Sequence, residues 1–145
     1  MFRRTLIALA LLLPLATPAL AVEGPHRLAL QISDNDPGKM NAVLNVAANV
    51  SKYYSDKGEE VEIQIVAFNA GLHMLREDTS KVKPRLESFR KGMPNVSFIA
   101  CQNTLDSMAR NEGKTPPLVP NATLVPAGVV RLIELSEKGW TVVRP

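Results

Sequence analysis

Short apolar runs alternate with segments of helical spacing along most of the chain, and this alternation limits the fold more than any other feature. Strand-like runs occupy residues 26–33, 60–69, 95–101, 122–126 and 140–145. Between them, apolar residues recur every three or four positions, as they do on one face of a helix. Strands that alternate with helices favour a parallel sheet, because parallel neighbours need a long crossover connection. The sequence therefore predicts an α/β three-layer sandwich with a five-stranded, mainly parallel sheet.

Four segments carry the helical pattern. The first enters at Asp36-Pro37 and runs to Lys57-Gly58, and the second, residues 79–93, contains Pro84 near its start. The third, residues 104–113, should begin at an N-cap made by Asn103 or Thr104. The fourth, residues 127–139, should bury Val129, Leu132 and Ile133, with Ser136 as a further candidate. Residues 70–78 are expected to form a short helix or turn.

The first 21 residues have the layout of a secretory signal peptide. Arg3 and Arg4 precede an apolar run, and the segment ends in small residues at Ala19-Leu20-Ala21. Pro14 and Pro18 interrupt the run, which is shorter than the ~20 residues that a membrane-spanning helix needs. We therefore expect cleavage after Ala21, a periplasmic protein and a single domain over residues 22–145, with no membrane attachment after the leader is removed.

The charge of the chain gives no reason to expect a nucleic-acid partner. The whole chain has a formal net charge of +3, and two of its basic residues lie in the predicted leader. The remaining residues are therefore almost neutral. A nucleic-acid or anionic-membrane surface would instead need a cluster of basic residues.

Cys101, the only cysteine of the chain, lies at the carboxyl end of the third predicted strand. Ligands of open α/β sheets bind at this edge. The helix that follows would place its positive end beside the sulfur and lower the pKa of the thiol. This placement favours a reactive thiol, whereas the alternative is a buried cysteine that serves only as a small apolar residue.

Other polar residues and glycines follow neighbouring strands at the same edge. They are Asp34, Asn35 and Asp36 after the first strand; Asn69, Gly71 and His73 after the second; Asn103 and Thr104 after the third; and Pro126, Ala127 and Gly128 after the fourth. We select Asn69, Gly71, His73, Asn103 and Thr104 as supporting or ligand-binding candidates. The alternative for each is a structural role, since Asp and Asn cap helices and glycine permits tight turns.

Several kinds of site are not indicated by the sequence. One cysteine excludes a C-x-x-C redox pair, and two widely spaced histidines make a poor zinc set. A copper set of Cys101, a histidine and Met74 or Met108 remains an alternative that the spacing does not favour. The glycine-rich nucleotide fingerprints are absent from the sequence. We therefore expect neither a metal nor a cofactor.

Three stretches resemble one known family. "FNAGLHML" (residues 68–75), "FIACQNTL" (98–105) and "LVPAGVVRLIELSEKGW" (124–140) are similar to the DsrE/DsrF-like proteins, and in particular to their single-domain exported branch. The resemblance extends from Arg27 to Pro145. It implies a DsrE-like fold of flavodoxin-like topology, assembly into homo-oligomers that are often trimers or hexamers, and a cysteine that carries sulfur as a persulfide, which Cys101 matches by position.

These observations lead to one functional hypothesis and one alternative. The hypothesis is a periplasmic sulfur carrier, or a sulfurtransferase-like protein, that holds sulfane sulfur on Cys101 and exchanges it with a thiol-bearing partner protein or a small sulfur compound. A second cysteine would convert a persulfide to a disulfide, so a lone thiol suits this chemistry. The alternative is a non-catalytic small-ligand-binding or oligomeric accessory protein.

The leader generates the first testable prediction. Because the segment has the charged start, the apolar run and the small-residue end of a signal peptide, the exported protein should begin at Val22. N-terminal sequencing of protein recovered from a producing cell measures this directly. A protein that retains Met1 or Phe2 in the membrane fraction would mean that the segment is an anchor.

Overall fold

The computed structural model of the protein describes residues 24–145. The predicted leader, residues 1–21, and its cleavage site lie outside the described residues. Five strands are present: β1 (His26–Ile32), β2 (Val61–Ala67), β3 (Val96–Cys101), β4 (Ala122–Val125) and β5 (Thr141–Val143). Four α-helices join them: α1 (Pro37–Asp56), α2 (Lys83–Gly92), α3 (Gln102–Glu112) and α4 (Gly128–Glu137), with a 3-10 helix at Asn69–Leu75.

The five strands form one parallel sheet in the order β4-β3-β2-β1-β5. The first three crossovers step in the same direction, from β1 to β2, β3 and β4. The last crossover returns across the whole sheet to the far side of β1. The predicted α/β three-layer class is confirmed, although the strand order differs from the 2-1-3-4-5 order of flavodoxin itself.

The direction of each crossover decides which face of the sheet its helix covers. Parallel crossovers are right-handed, so helices that connect in opposite directions lie on opposite faces. One face, which we call the α1 face, packs against α1, the 3-10 helix, α2 and α3 around Leu30, Ile65 and Phe98. The other face, the α4 face, packs Ala29, Val66 and Ile99 against Leu132 and Leu135 of α4 alone.

Apolar residues at helical spacing form much of the core on the α1 face. Met40, Val43, Leu44 and Ala47 of α1 are buried, as are Val82, Leu86 and Phe89 around α2. The second half of β2 is buried on both faces, because helices cover both sides of the sheet there. The second helix begins at Lys83, later than predicted, so that Pro84 falls in the first turn, where its missing N–H is tolerated.

The predicted buried face of α4 was right for Leu132 and wrong for Val129, Ile133 and Ser136. Val129 and Ile133 are about half exposed, whereas Leu132 and Leu135 are buried. The sequence contains apolar residues on more than one side of this helix, so periodicity alone allowed two faces. The packing against Val66 and Ile99 selects the side that carries Leu132 and Leu135.

Gly71 brings the 3-10 helix against the end of β1. A Cβ atom at this position would lie 2.2 Å from the carbonyl oxygen of Ile32 and 2.8 Å from the Cα of Ser33. Backbone cannot move away as a flexible side chain can, so only glycine fits. This close approach fixes the position of the 3-10 helix, and hence of Asn69, relative to the end of β1.

Gly71→Ala should destabilise the fold by about 1–3 kcal/mol, the usual cost of forcing extra volume into a packed site. Gly92→Ala is the matched control, because nothing lies within 4 Å of its added Cβ and the residue is in the last turn of α2. Urea denaturation of both variants measures the difference in the free energy of unfolding. Equal stability of the two variants would contradict the argument from close approach.

Candidate functional site

The connections that follow β3 and β4 leave the sheet towards opposite faces, although the two strands are neighbours. β3 is followed by α3 on the α1 face, and β4 by α4 on the α4 face. A crevice forms at the carboxyl ends of parallel strands where the connections change direction, and such points are the usual ligand sites of open α/β sheets. The topology therefore singles out the carboxyl ends of β3 and β4.

A cavity of about 460 Å³ lies at this point, and its volume is in the range of small-molecule sites. Its walls come from the end of β2, the end of β3, the first two turns of α3 and the start of α4. The lining residues are Phe68, Asn69, Cys101, Asn103, Thr104, Ser107, Met108, Ala127, Gly128 and Val129. A larger cavity, of about 620 Å³, lies at the opposite end of the sheet, but it contains neither the cysteine nor a converging helix N-terminus.

Cys101 is the last residue of β3 and also the N-cap residue of α3. The prediction that Asn103 or Thr104 would cap this helix was wrong, because the helix begins at Gln102 with no intervening turn. Cys101 is only 5% exposed, so its side chain is buried although it lies at a strand-to-helix corner. Side chains alternate along a strand, and Cys101 therefore shares the α4 face with Ile99.

The surroundings of the sulfur favour the thiolate. Burial raises the pKa of Cys101, but the Thr104 hydroxyl and the backbone N–H groups of Gly128, Thr104 and Asn103 lower it more, and the net direction is downward. The Cys101 side chain makes no capping hydrogen bond with α3. The thiolate is therefore stabilised by several dipoles that converge on the sulfur. Two helix N-termini, those of α3 and α4, contribute them.

Thr104 is oriented by the end of β2. The backbone N–H of Asn69 donates a hydrogen bond of 3.0 Å to the Thr104 oxygen. Because the Thr104 oxygen accepts this bond, the hydroxyl proton can point towards the Cys101 sulfur and donate to it. Asn69 itself has a φ of 49°, which is the left-handed region that few residues other than glycine adopt. Unusual backbone of this kind is often found at functional sites.

Gly128 allows α4 to approach Cys101. A Cβ atom on Gly128 would lie 3.0 Å from the Cβ of Phe68, closer than ordinary van der Waals contact. The glycine therefore sets the first turn of α4 tightly against the end of β2. In this position its N–H faces the sulfur of Cys101.

The structure brings together three of the five supporting residues predicted from the sequence. Asn69, Asn103 and Thr104 line the cavity with Cys101. Gly71 is buried against β1 and does not line the cavity, and His73 is bound through Nδ1 to the Thr79 hydroxyl at 2.8 Å. These two roles are structural, in line with the alternative stated for them.

Asp34 and Asp36, which follow β1, are also structural. Asp36 caps α1 by accepting a hydrogen bond of 2.8 Å from the Lys39 N–H. Asp34 pairs with Lys39 and with Arg144, and these cations lower the pKa of its carboxyl. None of these residues lines the Cys101 cavity.

Arg76, which holds the far end of α3, was not predicted from the sequence. Arg76 is 3% exposed, and its guanidinium binds Asp78 and Glu112, each through both carboxylate oxygens. It also contacts the sulfur of Met108, a cavity residue, at 3.7 Å. An Arg five residues beyond Gly71 looks like a surface residue in the sequence, and only the fold shows that it is buried. This arrangement anchors the far end of α3, whose N-cap is Cys101.

Within residues 24–145, no cluster of three or more His, Cys, Asp or Glu side chains is arranged to hold a metal ion. Over the same residues, no helix combines the length and the apolar character needed to cross a bilayer.

Comparisons with known proteins support the fold and leave the activity open. Neither a family model nor a curated protein gives a significant match to the sequence. The fold is similar to that of a protein of unknown function from Methanobacterium thermoautotrophicum, with a TM-score of 0.70 and 26% sequence identity. The alignment covers 83% of this chain and 99% of the other. This similarity agrees with the three-layer α/β sandwich described above.

The donors around Cys101 generate a prediction for its titration. The rate of alkylation by iodoacetamide, measured across pH, should give a thiol pKa below that of a free cysteine. Thr104→Val should raise this pKa, because it removes the hydroxyl that stabilises the thiolate. Thr104→Ser keeps a hydroxyl at the same position and is the matched control.

The two variants separate electrostatics from packing. If the hydroxyl matters, Thr104→Ser should titrate like the natural protein and Thr104→Val should not. A thiol that reacts only after unfolding, or identical pKa values in the two variants, would refute the thiolate site.

Proposed function

We propose that the protein handles sulfane sulfur on Cys101, as a sulfur carrier or a sulfurtransferase-like protein. One observation carries this proposal: a lone cysteine lies at the point where the sheet connections change face, surrounded by donors that favour its thiolate. A thiolate is the nucleophilic form of cysteine, and the lowered pKa makes more of it available near neutral pH.

The proposed step is an exchange of one sulfur atom between two thiols. The Cys101 thiolate attacks the outer sulfur of a persulfide R–S–SH and forms a new S–S bond. The S–S bond of the donor breaks, and the donor leaves as R–S⁻, so that charge and atoms balance without an external oxidant. Attack of an acceptor thiolate on the outer sulfur of Cys101-S–SH returns the cysteine to its starting form.

The absence of a second cysteine favours a carrier. An internal thiol could attack the persulfide and release sulfide as a disulfide forms. Cys101 is the only cysteine in the sequence, so the held sulfur can leave only to an external thiol.

We also propose membership of the DsrE/DsrF-like family, in its exported branch, and a periplasmic location. The support is the resemblance of residues 27–145 given above, together with a five-stranded parallel sheet of the kind that this resemblance implied. Thiol-bearing partner proteins and small sulfur compounds are the donors and acceptors that fit the proposed exchange.

Sulfur loading is the direct test of this function. The protein, exposed to inorganic polysulfide and then freed of excess reagent, should gain the mass of one or more sulfur atoms by native mass spectrometry. Cys101→Ser should gain none, because it lacks the attacking sulfur. Treatment with a reducing thiol should remove the added mass, since a persulfide is reversible.

The same experiment distinguishes the alternative function. A natural protein that gains no mass, although its native fold is intact, would favour a non-catalytic binding or accessory role. Cys101 is only 5% exposed, and this burial supports the alternative function.

We further propose that copies of the chain associate, as a trimer or hexamer. Exposed apolar side chains lie on the edge strand β5, at Val142 and Val143, and on α4, at Val130 and Ile133. Edge strands and apolar patches of this kind are usually covered in the working form of a protein.

Light scattering of the protein at micromolar concentration should give a mass several times that of one chain. Ile133→Lys should lower this mass, because it places a charge on the exposed apolar side of α4. Asn49→Lys adds the same charge to the exposed surface of α1 and should leave the assembly unchanged. A clean monomer for the natural protein would refute the association.

A further inference from the structure

One side of α3 contacts the segment of residues 69–76, which contains the 3-10 helix. Thr104, Met108 and Glu112 follow one another at intervals of four residues, so they lie in a row along this side of α3. The N–H of Asn69 donates to the Thr104 oxygen at 3.0 Å. At the other end of the segment, the Arg76 guanidinium contacts the Met108 sulfur and binds the Glu112 carboxylate. The segment therefore holds α3 in its first turn and in its last.

The lengths of the two elements explain how one segment reaches both ends of the row. Thr104 and Glu112 are eight positions apart in α3, which corresponds to a rise of about 12 Å. Asn69 and Arg76, the first residue and the C-cap of the 3-10 helix, are seven positions apart, a rise of about 14 Å. Because the two spans are nearly equal, both contacts form at the same time.

Arg76 is a fixed point of this segment. The backbone on either side of it is tied to the loop before β4, since Glu77 N–H donates to the Pro117 carbonyl and Val119 N–H to the Leu75 carbonyl, both at 2.9 Å. The Arg76 side chain is buried, and its guanidinium meets two carboxylates, each through both oxygens. Only the planar fork of arginine can bind two carboxylates in this way.

The rest of α3 has few other attachments. Of its residues, Leu105 alone is buried, and it lies in the first half of the helix. The Asn103 N–H donates to the carbonyl of Pro126, just after β4, at 3.2 Å. Both attachments are near Cys101, whereas Glu112 lies about 16 Å further along the helix axis. The Arg76 ion pair is therefore what holds the last turn of α3 against its neighbour.

The angle of α3 matters because groups that favour the Cys101 thiolate belong to its first turn. They include the Thr104 hydroxyl and the backbone N–H groups of Asn103 and Thr104. Hydrogen bonds weaken steeply when their angle departs from linearity. A helix released at Glu112 can tilt about its first turn, and this tilt would misalign the Thr104 hydroxyl with both Asn69 and the sulfur.

We propose that Arg76 is a positioning residue of the Cys101 site, which holds α3 through Glu112 at the angle that keeps Thr104 against the sulfur. This inference rests on the proposed sulfur-handling function and adds a residue that serves it from outside the cavity. Arg76 does not line the cavity, so its action on the thiol passes through α3. An arginine with a purely structural role would lower the stability of the fold and leave the chemistry of the folded protein unchanged.

Glu112→Gln is the direct test, because it weakens the link to α3, keeps the size of the side chain and leaves Arg76 paired with Asp78. The rate of alkylation by iodoacetamide across pH should show a raised pKa for Cys101. Below that pKa, the rate should fall by at least about threefold, which corresponds to a rise of about half a unit. The direction is diagnostic, since loss of a negative charge would by itself favour the thiolate and lower the pKa.

Glu87→Gln is the matched control. It removes the same charge from an ion pair with Arg90, but this pair lies within α2 and joins no second element to it. The pKa of Cys101 in this variant should equal that of the natural protein. Urea denaturation of both variants shows that each is folded under the conditions of alkylation.

A double variant tests whether the effect passes through Thr104. In a Thr104→Val background the hydroxyl is already absent, so Glu112→Gln should raise the pKa of Cys101 by less than it does in the natural protein. Residues that act as one unit are non-additive in this way. Equal increments in the two backgrounds would contradict the proposed role of Thr104 as the group that Arg76 positions.

The outcomes separate this inference from the function on which it rests. A folded Glu112→Gln protein whose Cys101 pKa is unchanged or lowered would overturn the positioning role of Arg76 and leave sulfur handling standing. A natural protein whose thiol reacts only after unfolding would remove the proposed function, and the positioning role with it.

Discussion

The return crossover from β4 to β5 is the constraint on which the candidate site depends. It runs against the direction of the three crossovers before it, so right-handedness sends α4 to the opposite face of the sheet. The N-termini of α3 and α4 then meet from two sides at the end of β3, where Cys101 lies. If α4 were on the same face as α3, the Gly128 N–H could not face this sulfur. The electrostatics of the thiol therefore follow from topology.

Glycine makes this meeting sterically possible at two places. At Gly71 the 3-10 helix packs directly against the backbone of β1, and at Gly128 the first turn of α4 packs against Phe68. Both contacts define the end of β2, from which Asn69 orients the Thr104 hydroxyl. Arg76 fixes the opposite end of α3 through two carboxylates. Packing and ion pairs in the surrounding elements thus hold the cavity in place.

The groups that favour the thiolate of Cys101 differ from those of many reactive cysteines. Many reactive cysteines are activated by a neighbouring histidine, lysine or arginine, which also attracts anionic substrates. Here the dipoles of two helices and one hydroxyl favour the thiolate. Activation of the nucleophile therefore depends on the positions of α3 and α4, whose first turns supply these backbone N–H groups.

The sequence by itself determined the α/β class, the five strands, most of the core and the position of Cys101 at the carboxyl edge of the sheet. These features depend on periodicity and on chain order, which are local properties. Tertiary structure alone decided the strand order, the buried side of α4, the 5% exposure of the thiol and the burial of Arg76. It also separated Asn69 and Thr104, which join the site, from Gly71 and His73, which do not. Each of these depends on which elements become neighbours in space, and residues with similar sequence signals can then face a cavity, a strand or the solvent.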